Sequence, residues 1–239
     1  MLELIHDRRS APEKEERYDL FSALLDANDD TLSGGEAPLT ERELMGNIFI
    51  FMLAGHETTA HTLAFAFGLL AFHQDEQELL YQHIKSVIPD GRLLATGIPK
   101  FSIEDTTFIT ENVRTGEKKA IPVPRGAGIT LNTVGLHYNP RYWKDPEVFK
   151  PSRFREDWPR DAFLPFSAGA RACLGRKFFE TEAVAALTML VSRYKIEVKD
   201  EPEFAGETLE RKKERLFRYW QSVTLAPLRM PLVFRRRSN

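Results

Sequence analysis

A long stretch almost without charge constrains this fold more than any other feature of the sequence. Residues 44–72 contain one formally charged side chain, Glu57, and are otherwise apolar nearly all round. Thr40 and Glu43 precede them in the spacing of a capping box, in which each side chain bonds the backbone N–H of the other residue. A helix that is apolar on every side is typical of the centre of a large domain. We therefore predict a buried helix over residues 40–72, in a chain of 239 residues that is long enough to enclose it.

The same stretch is also long enough to cross a lipid bilayer. Its centre, however, carries a cluster of polar side chains: His56, Glu57, Thr58, Thr59, His61 and Thr62. A charged side chain at that depth costs about 2.5–3.5 kcal/mol on insertion scales. The polar centre therefore favours a helix buried in protein over a membrane span.

Shorter elements surround this helix. Helices are expected over residues 1–27 and 75–88 and from Cys173 to about residue 194, with a loop over residues 29–38. Short strands are expected around a turn at residues 115–117, over residues 128–134 and after Trp220, with irregular chain over residues 139–165. The predicted fold class is mainly α with a minor β sheet.

Composition narrows the function classes. The formal net charge is −2, so the chain has no basic character that would indicate a nucleic-acid partner. Three consecutive arginines at 235–237 are interpreted as a solvated tail. The chain has a single cysteine, Cys173, which excludes an intrachain disulfide and fits a reducing compartment.

The most specific motif is FSAGARACLG, which contains that cysteine. Cys173 lies just before a predicted helix, where backbone N–H groups and the positive end of the helix dipole favour a thiolate. Gly169 permits a tight turn that a side chain would obstruct, and Gly175 lets the helix pass close beneath a flat macrocycle. Arg171 can form a charge-assisted pair with a propionate of such a macrocycle.

Five residues of this motif carry a family resemblance: Phe166, Gly169, Arg171, Cys173 and Gly175 match every fixed position of F-x-x-G-x-R-x-C-x-G. The chain thereby resembles the cytochromes P450, which are haem-thiolate monooxygenases. The resemblance implies that haem (iron protoporphyrin IX) is the cofactor, that Cys173 is the axial ligand of its iron and that Phe166 shields the sulfur. Thiolate ligation pushes electron density onto the iron and favours cleavage of the O–O bond.

A second motif, AGHETT, lies in the middle of the long helix and resembles the A/G-G-x-D/E-T-T/S signature of the same family. The resemblance implies that Gly55 leaves room over the haem face. A threonine hydroxyl that bonds backward along the helix can open it locally. Glu57 and Thr58 are the acid and the alcohol that we expect to relay protons to bound O2. Taken alone, these residues also fit an internal polar network.

Two other kinds of active site use similar residues. His56 and Glu57 fit the start of a zinc-protease helix, but the next histidine, His61, is five residues on rather than four and rotates off the shared face, which excludes that zinc geometry. A cysteine hydrolase would need a histidine partner for Cys173. No histidine lies in or near the cysteine loop, and this class stays open only through a residue distant in sequence.

A third segment, FKPSRF, resembles the family's F-x-P-E-R-F, with Ser152 in place of Glu and Arg153 matching. In the family, a helix carrying E-x-x-R holds the arginine that Arg153 matches. Only the seven residues RLLATGI stand between Gly91 and Pro99, and they contain no glutamate. The helix is therefore missing, and we expect Arg153 to lack its partners.

Several neighbouring residues are interpreted more simply. Glu111 and Arg114 have the E-x-x-R spacing, but they lie between predicted strands and should belong to a hairpin. His137 and Trp143 are expected to be packing residues. Lys100 lies where the family often has a basic residue for the second haem propionate, and the resemblance implies that role.

The resemblance as a whole implies a partial cytochrome P450 fold, with residues 1–239 as the carboxy-terminal portion of a truncated domain. The implied activity is insertion of one oxygen atom from O2 into a small organic substrate, with electrons from an NADPH-dependent flavoprotein reductase. The style of the sequence is closest to fungal microsomal members, so a full-length member is expected at the endoplasmic reticulum membrane, on its cytosolic face. The alternative is a truncated, catalytically inactive chain that cannot form a closed haem pocket.

Overall fold

The structure is a computed structural model, and it describes residues 2–10, 19–34, 38–84, 98–112, 114–221 and 224–237. Its helices are α1 (Leu2–Ser10), α2 (Leu20–Gly34), α3 (Glu41–Phe72), α4 (Gln74–Ile84), α5 (Thr133–His137), α6 (Arg176–Arg193) and α7 (Leu209–Leu216). Its strands are β1 (Ile98–Phe101), β2 (Thr106–Glu111), β3 (Lys118–Val123), β4 (Gly128–Leu131), β5 (Tyr194–Val198), β6 (Tyr219–Gln221), β7 (Leu225–Pro227) and β8 (Leu232–Arg236). The predicted class, mainly α with minor β structure, is confirmed.

The strands form four antiparallel pairs: β1 with β4, β2 with β3, β5 with β8 and β6 with β7. Strand β4 ends at Leu131, and α5 begins at Thr133, so the predicted strand over residues 128–134 is too long. The Asn132 side chain accepts a hydrogen bond from the Gly135 N–H and caps α5, which turns the chain out of the strand. Within the described residues, no helix combines the length and the hydropathy that a bilayer span requires.

The long helix α3 begins where the capping box predicts. The Thr40 N–H donates to the Glu43 carboxylate at 2.9 Å, and the Glu43 N–H donates to the Thr40 hydroxyl at 3.3 Å. The bonds that the Thr40 N–H and the Thr40 hydroxyl donate to the Glu43 carboxylate hold the pKa of Glu43 below its usual range. The helix then runs without a break to Phe72, as predicted.

The chain divides into two compact units, Met1–Thr58 and Thr59–Asn239. In the first, Ile5, Leu25, Leu44 and Ile48 form the core. The predicted loop over residues 29–38 is wrong in its first part, because α2 continues to Gly34. Two long-range bonds accompany this extension: Asp29 pairs with Arg9, and the Asn28 side chain accepts from the Leu39 N–H.

The core of the second unit joins α3, α4, α6 and β5 through Leu70, Ala71, Leu187, Val191 and Ile196. A buried amide, Gln77, lies at its centre. The Gln77 side chain donates to the carbonyls of Leu70 and Ile196 and accepts from the Ile196 N–H. One side chain therefore satisfies polar groups of α3 and β5 that have no access to water.

The arginines at the end of the sequence are not the solvated tail that was predicted. Arg235 and Arg236 lie in β8, and the Arg237 side chain is only 14% exposed. The Arg237 guanidinium lies 3.8 Å from the centre of the Tyr81 ring and donates to the Val191 carbonyl and to Glu78. This arginine therefore fastens β8 to α4 and α6.

The histidine between α3 and α4 makes stability depend on pH. His73 lies between the rings of Phe72 and Phe149, and burial lowers its pKa below the usual range, with Lys213 acting in the same direction and Asp75 opposing. Below about pH 6.5 the unfolded chain therefore binds a proton at His73 before the folded chain does, so the free energy of unfolding falls as the pH falls.

We expect this acid loss of stability to be smaller in a His73→Phe variant, which keeps a ring but cannot titrate. Thermal melts at pH 5.5 and pH 7.5 measure the difference. The exposed His6 in α1 offers a matched control, because a His6→Gln variant should keep the wild-type loss. An equal loss in His73→Phe and wild type would contradict the assignment.

Candidate functional site

The cysteine loop is a closed turn in front of α6. The Cys173 N–H donates to the Phe166 carbonyl at 2.9 Å, and the Ala172 N–H donates to the Gly169 carbonyl at 3.0 Å. Gly169 has φ of +74°, the left-handed conformation that its predicted turn requires. Ser167 shares that region with φ of +60°. These bonds present Cys173 three residues before α6, with an exposed, free thiol.

The surface around the thiol combines exposed apolar side chains with a positively charged one. The side chains of Leu174 and Phe178 are 72% and 69% exposed. A Cβ added at Gly175 would meet no atom within 4 Å, so the start of α6 is open beside the sulfur. The exposed Arg171 makes no ion pair or hydrogen bond with any residue that the structure describes. A thiol, two apolar side chains and a free guanidinium fit a flat apolar macrocycle that carries carboxylates.

Phe166 packs the loop against α6. Its ring packs against Phe179 of α6 with ring centres 5.7 Å apart, and the Arg176 guanidinium lies 5.5 Å from the centre of the Phe166 ring. Arg176 also pairs with Glu180 at 2.7 Å and keeps the pKa of that carboxyl below its usual range. These contacts fix the loop against the first turns of α6. That Phe166 shields the sulfur stays a prediction.

An aromatic cluster supports the chain that leads into the loop. Trp143 is 5% exposed and packs with Phe154, Trp158 and Phe163, which confirms its predicted packing role. His137 packs on Phe163 as well, with ring centres 5.0 Å apart. In addition, its Nε2 accepts a hydrogen bond from the Leu164 N–H at 2.9 Å, which places the imidazole proton on Nδ1. Sequence reasoning missed this bond, because no local signal links the two positions.

Arg153 has partners other than the E-x-x-R side chains that we expect it to lack. Its guanidinium donates to four backbone carbonyls, those of Lys144, Asp145, Val148 and Lys150, at 2.6–3.2 Å. Asp145 has φ of +49°, so one of these carbonyls belongs to a residue in the left-handed region. The turn folds around Arg153 and uses four of its five N–H donors. The turn therefore closes through hydrogen bonds within its own segment.

Replacement of Arg153 should loosen this turn. An Arg153→Met variant keeps much of the aliphatic length but removes all four hydrogen bonds, and we expect unfolding by urea to show a loss of about 2–4 kcal/mol. The nearby Arg155 is exposed, so Arg155→Met should change the free energy of unfolding by less than about 0.5 kcal/mol. Equal effects of the two substitutions would contradict this role of Arg153.

Two predictions concern the E-x-x-R motif itself. The seven residues between Gly91 and Pro99 fall mainly in 85–97, outside the described residues. Glu111 ends β2, and the chain turns back to β3 through the bonds of the Asn112 N–H to the Glu117 carbonyl and of the Gly116 N–H to the Asn112 carbonyl. The predicted hairpin is confirmed, so Glu111 and Arg114, which have the E-x-x-R spacing, do not belong to a helix. Lys100 lies on β1 opposite Ile129 of β4.

The polar centre of α3 has the predicted local geometry. The Thr58 hydroxyl donates to the Ala54 carbonyl one turn earlier, at 2.6 Å. A Cβ added at Gly55 would meet no atom within 4 Å, so the helix surface there is open. One carboxylate oxygen of Glu57, Oε2, is buried and has no hydrogen-bond partner among the described residues. Glu57 and Thr58 belong to the first unit, and the cysteine loop belongs to the second.

Comparison with known proteins identifies the family. The model of the cytochrome P450 family matches residues 1–107 and 109–215. The chain is 56% identical over 261 residues to cytochrome P450 monooxygenase 124 of the fungus Postia placenta, covering 99% of this chain and 50% of that protein. It is 32% identical to cytochrome P450 4A10 of Mus musculus, covering 74% of this chain and 38% of the relative. The chain belongs to the cytochrome P450 family, whose members bind haem.

A solved structure supports the fold. A crystal structure of a cytochrome P450, CYP102L1, matches with a TM-score of 0.73 and 21% identity, covering 99% of this chain and 54% of that one. The chain therefore has a partial P450 fold and spans about half the length of the curated relatives it matches. The alignment with the Postia placenta relative is longer than the 239 residues of this chain, so it contains positions that only the relative fills. Those positions agree with a deletion inside this chain relative to the Postia placenta protein.

Proposed function

We propose that this chain is the haem-binding portion of a monooxygenase and that Cys173 supplies the axial thiolate. The observation that carries the proposal is the loop itself: an exposed thiol lies three residues before α6, with open space at Gly175 and an exposed Arg171 that pairs with no described residue. The haem iron, when bound, supplies the chemistry of O2 activation. The Arg171 guanidinium pairs with one propionate, and Lys100 reaches the second.

The α3 residues hold protons in this proposal. Glu57 Oε2 has no hydrogen-bond partner among the described residues, so in this proposal it relays protons to a neighbouring hydroxyl. The Thr58 hydroxyl donates to the Ala54 carbonyl, and a hydroxyl can both donate and accept hydrogen bonds, which is what a relay requires. Gly55 keeps the helix surface free of a side chain where O2 and substrate need room.

The whole protein is proposed to insert one atom of O2 into a small organic substrate. An NADPH-dependent flavoprotein reductase is the proposed electron donor, and the endoplasmic reticulum membrane, on its cytosolic face, is the proposed location of a full-length member. The relatives that support these proposals are cytochromes P450 from a fungus and from mammals. Residues 1–239 are then the carboxy-terminal portion of one truncated domain.

A second candidate is a catalytically inactive chain with the same signatures. The observation in its favour is that the chain spans about half of its relatives, while its thiol is exposed. Water around an iron–thiolate bond changes the local dielectric constant and therefore the redox potential of the iron. Such a chain would have the residues of the site but no closed pocket.

Haem uptake separates the two candidates. We expect the purified chain to bind one haem per chain and to lose this binding when iodoacetamide has first blocked Cys173, which is the only thiol in the sequence. Bound haem should in turn slow the alkylation of Cys173. No uptake by the unmodified chain would support the inactive candidate, and full uptake after alkylation would show that another residue holds the iron.

A further inference from the structure

The imidazole of His137 joins the end of α5 to the chain that leads into the cysteine loop. Its Nε2 accepts a hydrogen bond from the Leu164 N–H at 2.9 Å, and its ring lies against Phe163 with ring centres 5.0 Å apart. The bonded residues are 27 positions apart in sequence, and both belong to the second unit. Ring packing is not directional, whereas a hydrogen bond depends on both distance and angle. The bond therefore sets the position of Leu164 more narrowly than the ring contact does.

Helix α5 gives this imidazole a fixed support. At the start of the helix the Asn132 side chain accepts from the Gly135 N–H at 2.8 Å, and at its end the Tyr138 N–H donates to the Val134 carbonyl at 3.0 Å. Asn132 directly follows β4, which pairs with β1. His137 therefore stands on a capped helical turn that continues from a paired strand.

A short series of hydrogen bonds leads from Leu164 to Cys173. The Leu164 carbonyl accepts from the Ser167 N–H at 3.2 Å, and the Phe166 carbonyl accepts from the Cys173 N–H at 2.9 Å. The chain from Leu164 to Ser167 belongs to no helix or strand. Bonds within turns and bonds to side chains, rather than a helix or a sheet, therefore decide where this stretch lies.

We infer that His137 is a positioning residue for Cys173, an inference that rests on the proposed function for the role of the sulfur. The imidazole fixes Leu164, the Leu164 carbonyl fixes the first turn of the loop, and the loop presents the thiol. A side chain that fills the same place without an acceptor atom leaves the Leu164 N–H without this partner. The start of the loop is then free to move relative to α6, and the sulfur is held less firmly where an axial ligand has to be.

Two substitutions separate the acceptor atom from the ring, and hydrogen exchange measured by mass spectrometry compares them without any cofactor. His137→Phe keeps a ring and removes the acceptor, and we expect it to raise amide exchange of residues 163–173 about fivefold. His137→Gln removes the ring but keeps an acceptor oxygen, and should restore most of the protection. His73→Phe is the matched control, because its ring contacts lie outside the loop. Unchanged exchange in His137→Phe, or an equal rise in His137→Gln, would overturn the inference.

A measurement on the wild-type chain decides the matter if His137→Phe does not fold. Nuclear magnetic resonance of the imidazole nitrogens at neutral pH should show Nε2 without a proton, because Nε2 accepts a hydrogen bond in the structure. The Leu164 amide should also exchange slowly. A proton on Nε2, or rapid exchange of that amide, would contradict the role of His137.

The haem-loaded chain tests the consequence for the ligand. With carbon monoxide and a reductant, thiolate-bound iron gives a red-shifted Soret band, and this band is lost when the sulfur leaves the iron. We expect the loss to be about fivefold faster in His137→Phe than in wild type, with the wild-type rate in His73→Phe and most of it restored in His137→Gln. Equal rates in His137→Phe and wild type would overturn the role in placing the ligand. Failure of the wild-type chain to bind haem would defeat the proposed function, and the exchange experiment would still decide whether His137 positions the loop.

Discussion

A Cys173→Ser variant is expected to lose the thiolate signature of the bound haem completely. With carbon monoxide and a reductant, the wild-type chain loaded with haem should show the red-shifted Soret band of a thiolate-bound iron, and the variant should show none. The reason is that serine keeps the size of the side chain but replaces the sulfur, and the electron donation that shifts the band comes from the sulfur. A difference spectrum of each purified protein measures the effect.

A substitution six residues earlier controls for damage to the loop. Ser167 shares the loop, and its buried hydroxyl oxygen has no hydrogen-bond partner in the described residues. Ser167→Ala therefore alters the loop without touching the sulfur and should keep the red-shifted band. A red-shifted band in Cys173→Ser would show that the cysteine is not the ligand.

Removal of the Gln77 amide should give the largest loss of stability. Gln77→Leu preserves the volume but leaves the Ile196 N–H and the Leu70 carbonyl without their partner inside a core where both lack water. Each buried group left unsatisfied costs about 1–3 kcal/mol, so we expect a loss of about 3–5 kcal/mol in the free energy of unfolding. Urea denaturation followed by circular dichroism measures it.

The matched control lies on the same helix. Gln82 is exposed on α4 and its amide bonds only Glu78 among the residues described, at 2.9 Å. Gln82→Leu should change the free energy of unfolding by less than about 0.5 kcal/mol. If Gln77→Leu lowered the free energy of unfolding no more than Gln82→Leu, the hydrogen bonds of the Gln77 amide would not stabilise the packing of α3, α4 and β5.

Local signals predicted the parts of the fold that depend on neighbours in sequence. Thr40 and Glu43 cap α3 by contacts only three residues apart, and the Thr58 hydroxyl bonds back by one turn. The hairpin around Gly116 follows from turn chemistry of the same short range. Because these contacts are contained in a few consecutive residues, the sequence specifies them directly.

Some predictions failed where a residue has partners far away in sequence, whereas the strand predicted over residues 128–134 is too long for a local reason, the Asn132 cap of α5. The Arg237 side chain is largely buried by contacts with Tyr81 and Glu78. Both residues lie more than 150 positions before it in the sequence, so no local pattern indicates these contacts.

Within α2, Asp29 pairs with Arg9 of α1, a contact that the residues around Asp29 do not indicate. The partners of Arg153 were not predicted for a different reason. The family resemblance considers only a glutamate side chain as its partner, whereas the guanidinium donates to nearby backbone carbonyls.

The central claim is that the sulfur of Cys173 is bonded to haem iron, and X-ray absorption at the iron edge observes that bond directly. For the chain loaded with haem, we predict one sulfur scatterer in the first coordination shell of the iron, in addition to the four porphyrin nitrogens. A first shell made only of nitrogen and oxygen would contradict the claim.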